Sequence, residues 1–314
     1  MNYKILTIIG PTAIGKTSIA IELAKQINGE VIGLDSRQIY FGMEIGTAQP
    51  LYSEMQGIHH HLIGIRAPNK VIAAGEYAKI IKAVIVDIRQ RNNVPIICGG
   101  AGLYYRALCE GIFEDSISDS KIREKLEKDY DKNPQLLLDR LKSIDPEYAK
   151  VVHINNKKRL VRALEIYQST GKTPSEHFAK QKKKSSSKLN LFSILLTMDK
   201  ESLFKRICRR TEQMLENGLI EEVETLLSKY DVKDVHPLDS IGYKQVISYL
   251  NGDLSYQEMI DEINIRTRQY VKKQRTWFKN EPIDLEFDLT ENQGIGIVVE
   301  KIINHKDTKR VIKF

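Results

Sequence analysis

Residues 5 to 27 read Ile-Leu-Thr-Ile-Ile-Gly-Pro-Thr-Ala-Ile-Gly-Lys-Thr-Ser-Ile-Ala-Ile-Glu-Leu-Ala-Lys-Gln-Ile, and this stretch decides the fold. Ile5, Leu6, Ile8 and Ile9 form a short apolar run suited to a buried strand, after which Ile19, Ala20, Leu23, Ala24 and Ile27 recur at helical spacing. Between them Gly10, Pro11, Thr12, Ala13, Ile14, Gly15, Lys16 and Thr17 complete a G-x-x-x-x-G-K-[ST] loop in the strand-loop-helix order it requires. Gly10 and Gly15 let backbone amides turn toward one point, and the helix start adds its positive dipole end. Lys16 supplies a mobile cation, and the Thr17 hydroxyl is suited to hold Mg²⁺. The loop predicts a polyphosphate site. It leaves open whether a phosphoryl group moves or a diphosphate departs.

Outward from the loop, Glu30 to Leu34 reads as a second buried strand that delivers Asp35 at its C-terminal end, the end that faces the ligand crevice in an open α/β sheet. Ala73 to Arg91 has helical periodicity, Val94 to Cys98 reads as a strand stopped by Gly99-Gly100, and Leu191 to Thr197 reads as a further strand. Residues 118–180 carry only helical signals, with Asp119-Ser120, Asn133-Pro134, Asp145-Pro146 and Asn155-Asn156 as successive starts. The reading is an α/β fold: a P-loop NTPase-like parallel sheet core with an all-helical insertion domain and a helical C-terminal region. Its boundaries are 1–115 for the first part of the core, 116–188 for the insertion, and 189–314 for the second part with basic C-terminal helices. The polar, basic stretch from Lys180 to Lys188 reads as an exposed hinge or a solvated loop.

Ser255-Tyr-Gln-Glu258 is a capping box that opens a helix running toward residue 279. Its second half interleaves Arg266, Arg268, Lys272, Lys273, Arg275 and Lys279 with Tyr270, Trp277 and Phe278. That pattern suits either a grip on a phosphate backbone or a solvated face opposite a core stripe of Ile263, Tyr270 and Trp277. The net charge of +7 makes nucleic acid a candidate partner. Cys98, Cys109 and Cys208 are odd in number and widely spaced, which argues against a disulfide framework or a zinc site. The Ile5 to Ile9 run is too short for an export signal, and no membrane span is read, so the expected compartment is the reducing cytoplasm. His59, His60 and His61 are adjacent in an extended segment and are not expected to converge on one ion.

Asp35 has two readings on its own chemistry: a general base at the ligand-facing end of a strand, or a Walker-B-like Mg²⁺ ligand. The following Ser36-Arg37-Gln38-Ile39-Tyr40, then Gly46-Thr47-Ala48, His59-His60-His61-Leu62-Ile63, Gly99-Gly100 with Gly102-Leu103-Tyr104, and Ile241-Gly242-Tyr243 are not general features of such loops. With Arg210, Gln213-Met214-Leu215, Arg268-Gln269, Lys273-Gln274 and Trp277-Phe278 they resemble the tRNA dimethylallyltransferase (tRNA isopentenyltransferase) family over nearly the whole chain, in order.

The resemblance implies transfer of a dimethylallyl group from dimethylallyl diphosphate to the exocyclic N6 of the adenosine 3′ of the tRNA anticodon. Lys16, Thr17 with Mg²⁺, and Arg210 would hold the leaving diphosphate, with Asp35 as base. Ser36, Arg37 and Gln38 would contact the acceptor, and the resemblance adds tRNA contacts at Ala101, at Arg123, and along Lys158, Arg159, Leu160, Val161 and Arg162. A monomer is expected. Three positions depart from the family's usual residues: Ala101 stands for Thr, Gly64 for Asp, and Gln49 for Lys. The competing readings are a free-adenylate isopentenyltransferase, a P-loop nucleotide kinase or NTPase, and a non-catalytic tRNA-binding paralogue.

Overall fold

The computed structural model describes residues 4–111, 119–183, 188–232, 235–290 and 294–312. In chain order these form β1 (Ile5–Ile9), α1 (Lys16–Ile27), β2 (Gly29–Leu34), α2 (Tyr52–Met55), β3 (His60–His61), α3 (Ala74–Gln90), β4 (Val94–Gly99) and α4 (Gly102–Glu110). Next come α5 (Ser120–Lys132), α6 (Pro134–Ile144), α7 (Pro146–Ala149), α8 (Lys157–Thr170) and α9 (Pro174–Lys183). The chain continues as β5 (Leu191–Thr197), α10 (Lys200–Glu216), α11 (Leu219–Lys229), a 3-10 turn (His236–Asp239), α12 (Tyr243–Leu250), α13 (Tyr256–Phe278), β6 (Leu285–Asp288), α14 (Ile295–Asn304) and α15 (Lys306–Ile312).

The strands form one parallel sheet in the order β3-β2-β4-β1-β5-β6. Every residue of β1, β2 and β4 is buried, as expected for strands covered by crossover helices on both faces. Ile19, Leu23 and Ile27 of α1 join Leu6, Ile8, Ile96, Phe192 and Ile194 of the sheet, with Val298, Val299 and Ile302 of α14, in one apolar core. Strands β3 and β6 and the terminal helices α14 and α15 go beyond the elements read from the sequence. The two strands are short, with two and four residues, and lie at the sheet edges where hydrophobic periodicity is weakest.

The chain divides into two compact units, one of Met1–Cys109 with Leu189–Phe314 and one of Glu110–Lys188. The second is a helical unit whose core holds Leu126, Leu137, Leu141, Leu160, Val161 and Leu164. Its helix starts follow capping chemistry: Asp119, Asn133, Asp145 and Asn156 each accept a backbone N–H from the first turn of the following helix. Each such cap contributes about 1 kcal/mol. The boundary expected between residues 115 and 116 lies outside the described residues. So do residues 184–187 of the basic stretch, while the part before them is helical through Lys183 as the end of α9.

Candidate active site

The site starts from strand register. Ile9 of β1, Gly99 of β4 and Leu34 of β2 lie in one row across the sheet, with Ile9 paired to Gly99 and Gly99 to Leu34. The next residue on each chain is therefore Gly10, Gly100 or Asp35, and all three leave the sheet at the same end. Gly99 has no alternative in this row, because a Cβ there would fall 2.1 Å from the Leu34 carbonyl oxygen. Ala101, the first residue past the paired glycines, donates its N–H to that same oxygen at 3.3 Å.

Gly10 to Thr17 forms the loop between β1 and α1, with Ala13 and Gly15 at positive φ. Lys16 Nζ donates to the Pro11 carbonyl at 2.7 Å. Burial pushes the Lys16 pKa down to about 8, with Arg210 adding to the depression and Cys98 and Asp35 opposing it. Arg210 of α10 donates to Thr12 Oγ1 at 3.3 Å, and Arg206 of the same helix donates to the Ile14 carbonyl at 2.9 Å. Burial also lowers the Arg210 pKa, against the pull of Asp35 and Glu54. Two cations thus stand at the loop within electrostatic reach of Asp35, an arrangement that favours an anion of more than one charge.

Asp35 is held by its own turn, its Oδ1 accepting the N–H of Arg37 at 2.8 Å and that of Gln38 at 3.4 Å. Gln38 Nε2 donates to the carbonyls of Thr47 and Ala48 at 3.2 and 2.8 Å, and Arg37 Nη1 lies 3.3 Å from His236 Nδ1. Ser36 is half-buried beside them. Three tyrosines gather near Asp35. Tyr77 donates to the Gly33 carbonyl at 2.6 Å and packs on Tyr104 with ring centroids 4.5 Å apart. Burial raises the Tyr104 and Tyr270 pKa values to about 12, and Asp35 adds to both.

The Gly46-Thr47-Ala48 segment is clamped from the far side. Glu222 of α11 accepts the N–H groups of Ile45 and Gly46 at 2.7 and 2.9 Å, and Tyr243 of α12 donates to Glu222 at 2.7 Å. Gly46 lies against the Tyr243 ring so closely that a Cβ would fall 2.5 Å from it. The Ile241-Gly242-Tyr243 motif is therefore part of a brace for the loop that follows Asp35.

On α13 the buried face differs from the stripe read in the sequence: it runs through Met259, Ile263, Val271, Gln274 and Phe278, while Tyr270 is 40 % exposed. Arg266, Arg268, Lys272, Lys273, Arg275 and Lys279 are all exposed. Gln274 accepts the Thr12 N–H at 3.0 Å and donates to the Gly100 carbonyl at 3.0 Å. Sequence reasoning passed over Gln274, Glu222, Arg206 and the three tyrosines as site residues. One signal was available: Gln274 is a polar residue on the same helical face as Val271 and Phe278.

His59 and His61 approach each other more closely than their adjacency in sequence suggested. Their rings stack at 4.2 Å, and one ligating atom from each lies within 4.8 Å of the other and of a Glu30 carboxylate oxygen. The Glu30 carboxylate is already engaged. It accepts from His61 Nε2 at 2.6 Å, from Arg91 Nε and Nη2 at 3.2 and 2.7 Å, and from Asn93 at 2.6 Å. Burial alone would raise the Glu30 pKa, but these donors outweigh it and hold the carboxyl at about 2. The knot ties β2 to β3 and to the end of α3, and the Arg91 guanidinium opposes a second cation there.

In the helical unit, Arg123 of α5 and Arg162 of α8 both pair with the fully buried carboxylate of Glu165, at 3.1 and 2.8 Å. Leu160 and Val161 lie in that unit's core, whereas Lys158 and Arg159 are exposed. The exposed cations of this turn are Lys158 and Arg159, and the Arg162 side chain is 31% exposed.

Thr17 lines a cavity of about 650 Å³ together with Glu22, Glu54, Arg210 and Gln213. The Thr17 hydroxyl is a hard-oxygen donor of the kind that Mg²⁺ takes.

Comparison with known proteins gives concordant results. The sequence profile of the family described as "IPP transferase" matches residues 38–281. A tRNA dimethylallyltransferase of Anoxybacillus flavithermus is 39% identical over 310 residues, covering 98% of each chain, and that of Halalkalibacterium halodurans is 40% identical, covering 93% of each. The crystal structure of a full-length tRNA isopentenylpyrophosphate transferase from Bacillus halodurans superposes with a TM-score of 0.71 at 36% identity, covering 99% of both chains. A eukaryotic dimethylallyltransferase crystallised acting on tRNA gives 0.80 at 28% identity, covering 96% of this chain and 78% of its own.

Proposed function

We infer from the IPP transferase family, to which this chain belongs, that the protein is a prenyltransferase moving a dimethylallyl group from its diphosphate to adenosine in tRNA. The supporting observation is the register row: it sets an anion-holding loop, a paired-glycine turn and a carboxylate side by side at one end of three neighbouring strands.

In the reaction the bond between the allylic carbon and the diphosphate oxygen breaks, and the electron pair leaves with the diphosphate. A carbon–nitrogen bond forms at adenosine N6, and the N6 proton passes to Asp35. Charge grows on the departing oxygen, so Lys16, Arg210 and the loop amides act where the transition state needs them, and loss of one such donor costs about 10² to 10³ in rate. The Asp35 carboxylate takes the proton from a weakly nucleophilic amine, a role contributing about 10² to 10⁴. Its own turn fixes one oxygen on the Arg37 and Gln38 amides. Thr17 would hold Mg²⁺, which when bound supplies further charge neutralisation on the diphosphate.

The acceptor adenosine must leave its stack to reach Asp35, at a cost of a few kcal/mol. Tyr104, Tyr270 and the Ser36 to Gln38 turn offer the aromatic and polar surface that an extruded purine needs. The Glu110–Lys188 unit is the tRNA-binding insertion, gripping phosphates through Lys158, Arg159, Arg162 and Arg123, and the exposed basic face of α13 adds to the grip. The protein works as a monomer in the cytoplasm; among the described residues no helix is long and apolar enough to cross a membrane.

The test is incubation with dimethylallyl diphosphate, Mg²⁺ and either unmodified tRNA or AMP, followed by mass analysis of nucleosides. Prenylated adenosine in tRNA, abolished by Asp35→Ala, is expected. Product from AMP alone, or nucleotide hydrolysis without prenylation, would overturn the reading.

A further inference from the structure

We propose that Gln274 is a positioning residue that holds the diphosphate loop and the turn beside the base at a fixed separation, so that donor and acceptor meet in line. The inference rests on the prenyl-transfer reading of the site. Gln274 is 6% exposed, and its amide is used at both ends: Oε1 accepts the Thr12 N–H and Nε2 donates to the Gly100 carbonyl. Thr12 belongs to the leaving-group side, where its hydroxyl accepts from Arg210. Gly100 precedes Ala101, whose N–H is bonded to Leu34, the residue before Asp35.

One side chain from a distant helix therefore spans the two halves of the reaction. The space between them is filled by this bridge, since a Cβ on Gly100 would fall 2.5 Å from Gln274 Nε2 and 3.0 Å from the Gly10 carbonyl oxygen. The hydrogen bonds of Gln274 go to Thr12, Gly100 and Tyr270 rather than to Lys16 or the Asp35 carboxylate, so its effect is on where those groups stand. Tyr270, one turn earlier on α13, lies within the electrostatic reach of Asp35 and Arg37, so the same helix face reaches the acceptor side. Misplacement of reacting groups by about 1 Å costs on the order of 10²-fold in rate.

Two variants test this. Gln274→Met keeps length and removes both bonds; the expected result is a fall in kcat of about tenfold or more with KM for dimethylallyl diphosphate within about threefold. Gln274→Glu keeps the acceptor for Thr12 but sets a carboxylate against the Gly100 carbonyl. Its protonated form restores both bonds, so its kcat relative to the unaltered protein should rise as pH falls through the titration of the new carboxyl. A brace that only stabilises the fold would lower the melting temperature and leave kcat per folded molecule unchanged, and that result overturns the proposal, as does a flat ratio across pH. Hydrogen exchange on the ligand-free protein reads the bridge without activity: Gln274→Met should speed exchange at the Thr12 and Ala101 amides. If the unaltered protein makes no prenylated adenosine, the functional reading falls while exchange still decides the bridge. Unchanged exchange in an active protein removes the bridge alone.

Discussion

Gln49 Oε1 stands 3.4 Å from the point where a Cβ on Gly64 would project, so two positions at which this chain departs from the family's usual Lys and Asp are neighbours in space. Gln49 is buried and donates to the Tyr40 carbonyl at 2.7 Å. Where the resemblance leads one to expect a Lys and an Asp, this chain sets a neutral amide beside a position with no side chain. Gly64 has φ +58°, a region that Asp tolerates better than most residues. Gln49→Lys alone should destabilise by about 2 kcal/mol, since a buried ammonium lacks its counter-charge, and Gly64→Asp alone by about 1 kcal/mol. The double substitution should recover much of both, with a coupling of about 1 to 3 kcal/mol in urea unfolding; additivity within about 0.5 kcal/mol would sink the pairing.

Lys16 carries a pH dependence that an always-charged residue would lack. With its pKa near 8 in the ligand-free site, most molecules present an ammonium at pH 7 and few do at pH 9. Inorganic pyrophosphate affinity, taken as a ratio to that of Lys16→Arg so that the ligand's own titration cancels, should fall about tenfold between those values. The sign for stability is opposite. The unfolded chain keeps this proton up to its ordinary value of 10.5, so the ligand-free protein gains stability as pH rises through that interval. A pH-independent affinity ratio in calorimetric titrations would contradict the assignment.

Glu222→Ala removes the acceptor for two backbone amides and for the Tyr243 hydroxyl. The loop it braces follows Asp35 and is separate from the phosphate loop, so KM for tRNA should rise by roughly tenfold while pyrophosphate binding stays within about twofold. Equal weakening of both ligands would show that Glu222 supports the whole site instead.

The phosphate contacts proposed for the helical unit are tested by salt. Lys158→Ala and Arg159→Ala should each weaken tRNA binding and reduce the slope of log K against log salt by about 0.7 to 0.9. Leu160→Ala should leave the slope unchanged and destabilise the unit by about 2 to 5 kcal/mol, because that side chain is in the core. An unchanged slope in both basic variants would place the tRNA grip elsewhere.

Much of the scaffold was legible because its signals are local. The β1, loop and α1 order, the helix starts at Asp119, Asn133, Asp145 and Asn156, and the capping box at Ser255 each depend on residues within one or two turns of each other. The site was legible only on its outer points. Lys16 and Asp35 could be named from motif and strand end, but Arg210 came from family resemblance; Glu222 was not singled out and Gln274 was quoted without a role, because they act on backbone 176 and 262 residues away in sequence. The histidines were read as structural rather than metal-binding, but their partner could not be read: His59 and His61 come together against Glu30, which lies 31 residues before His61 in the chain.

By itself, then, the sequence determined the central strands, the capped helices, the G-x-x-x-x-G-K-[ST] loop and the carboxylate at the end of β2, since hydrophobic period, capping residues and turn chemistry are short-range. Only the tertiary structure decided which amides are held, which cations meet and that Gln49 and Gly64 are neighbours. Those depend on strand register and helix packing, and a parallel sheet brings Ile9, Leu34 and Gly99 into one row only after its crossovers have closed.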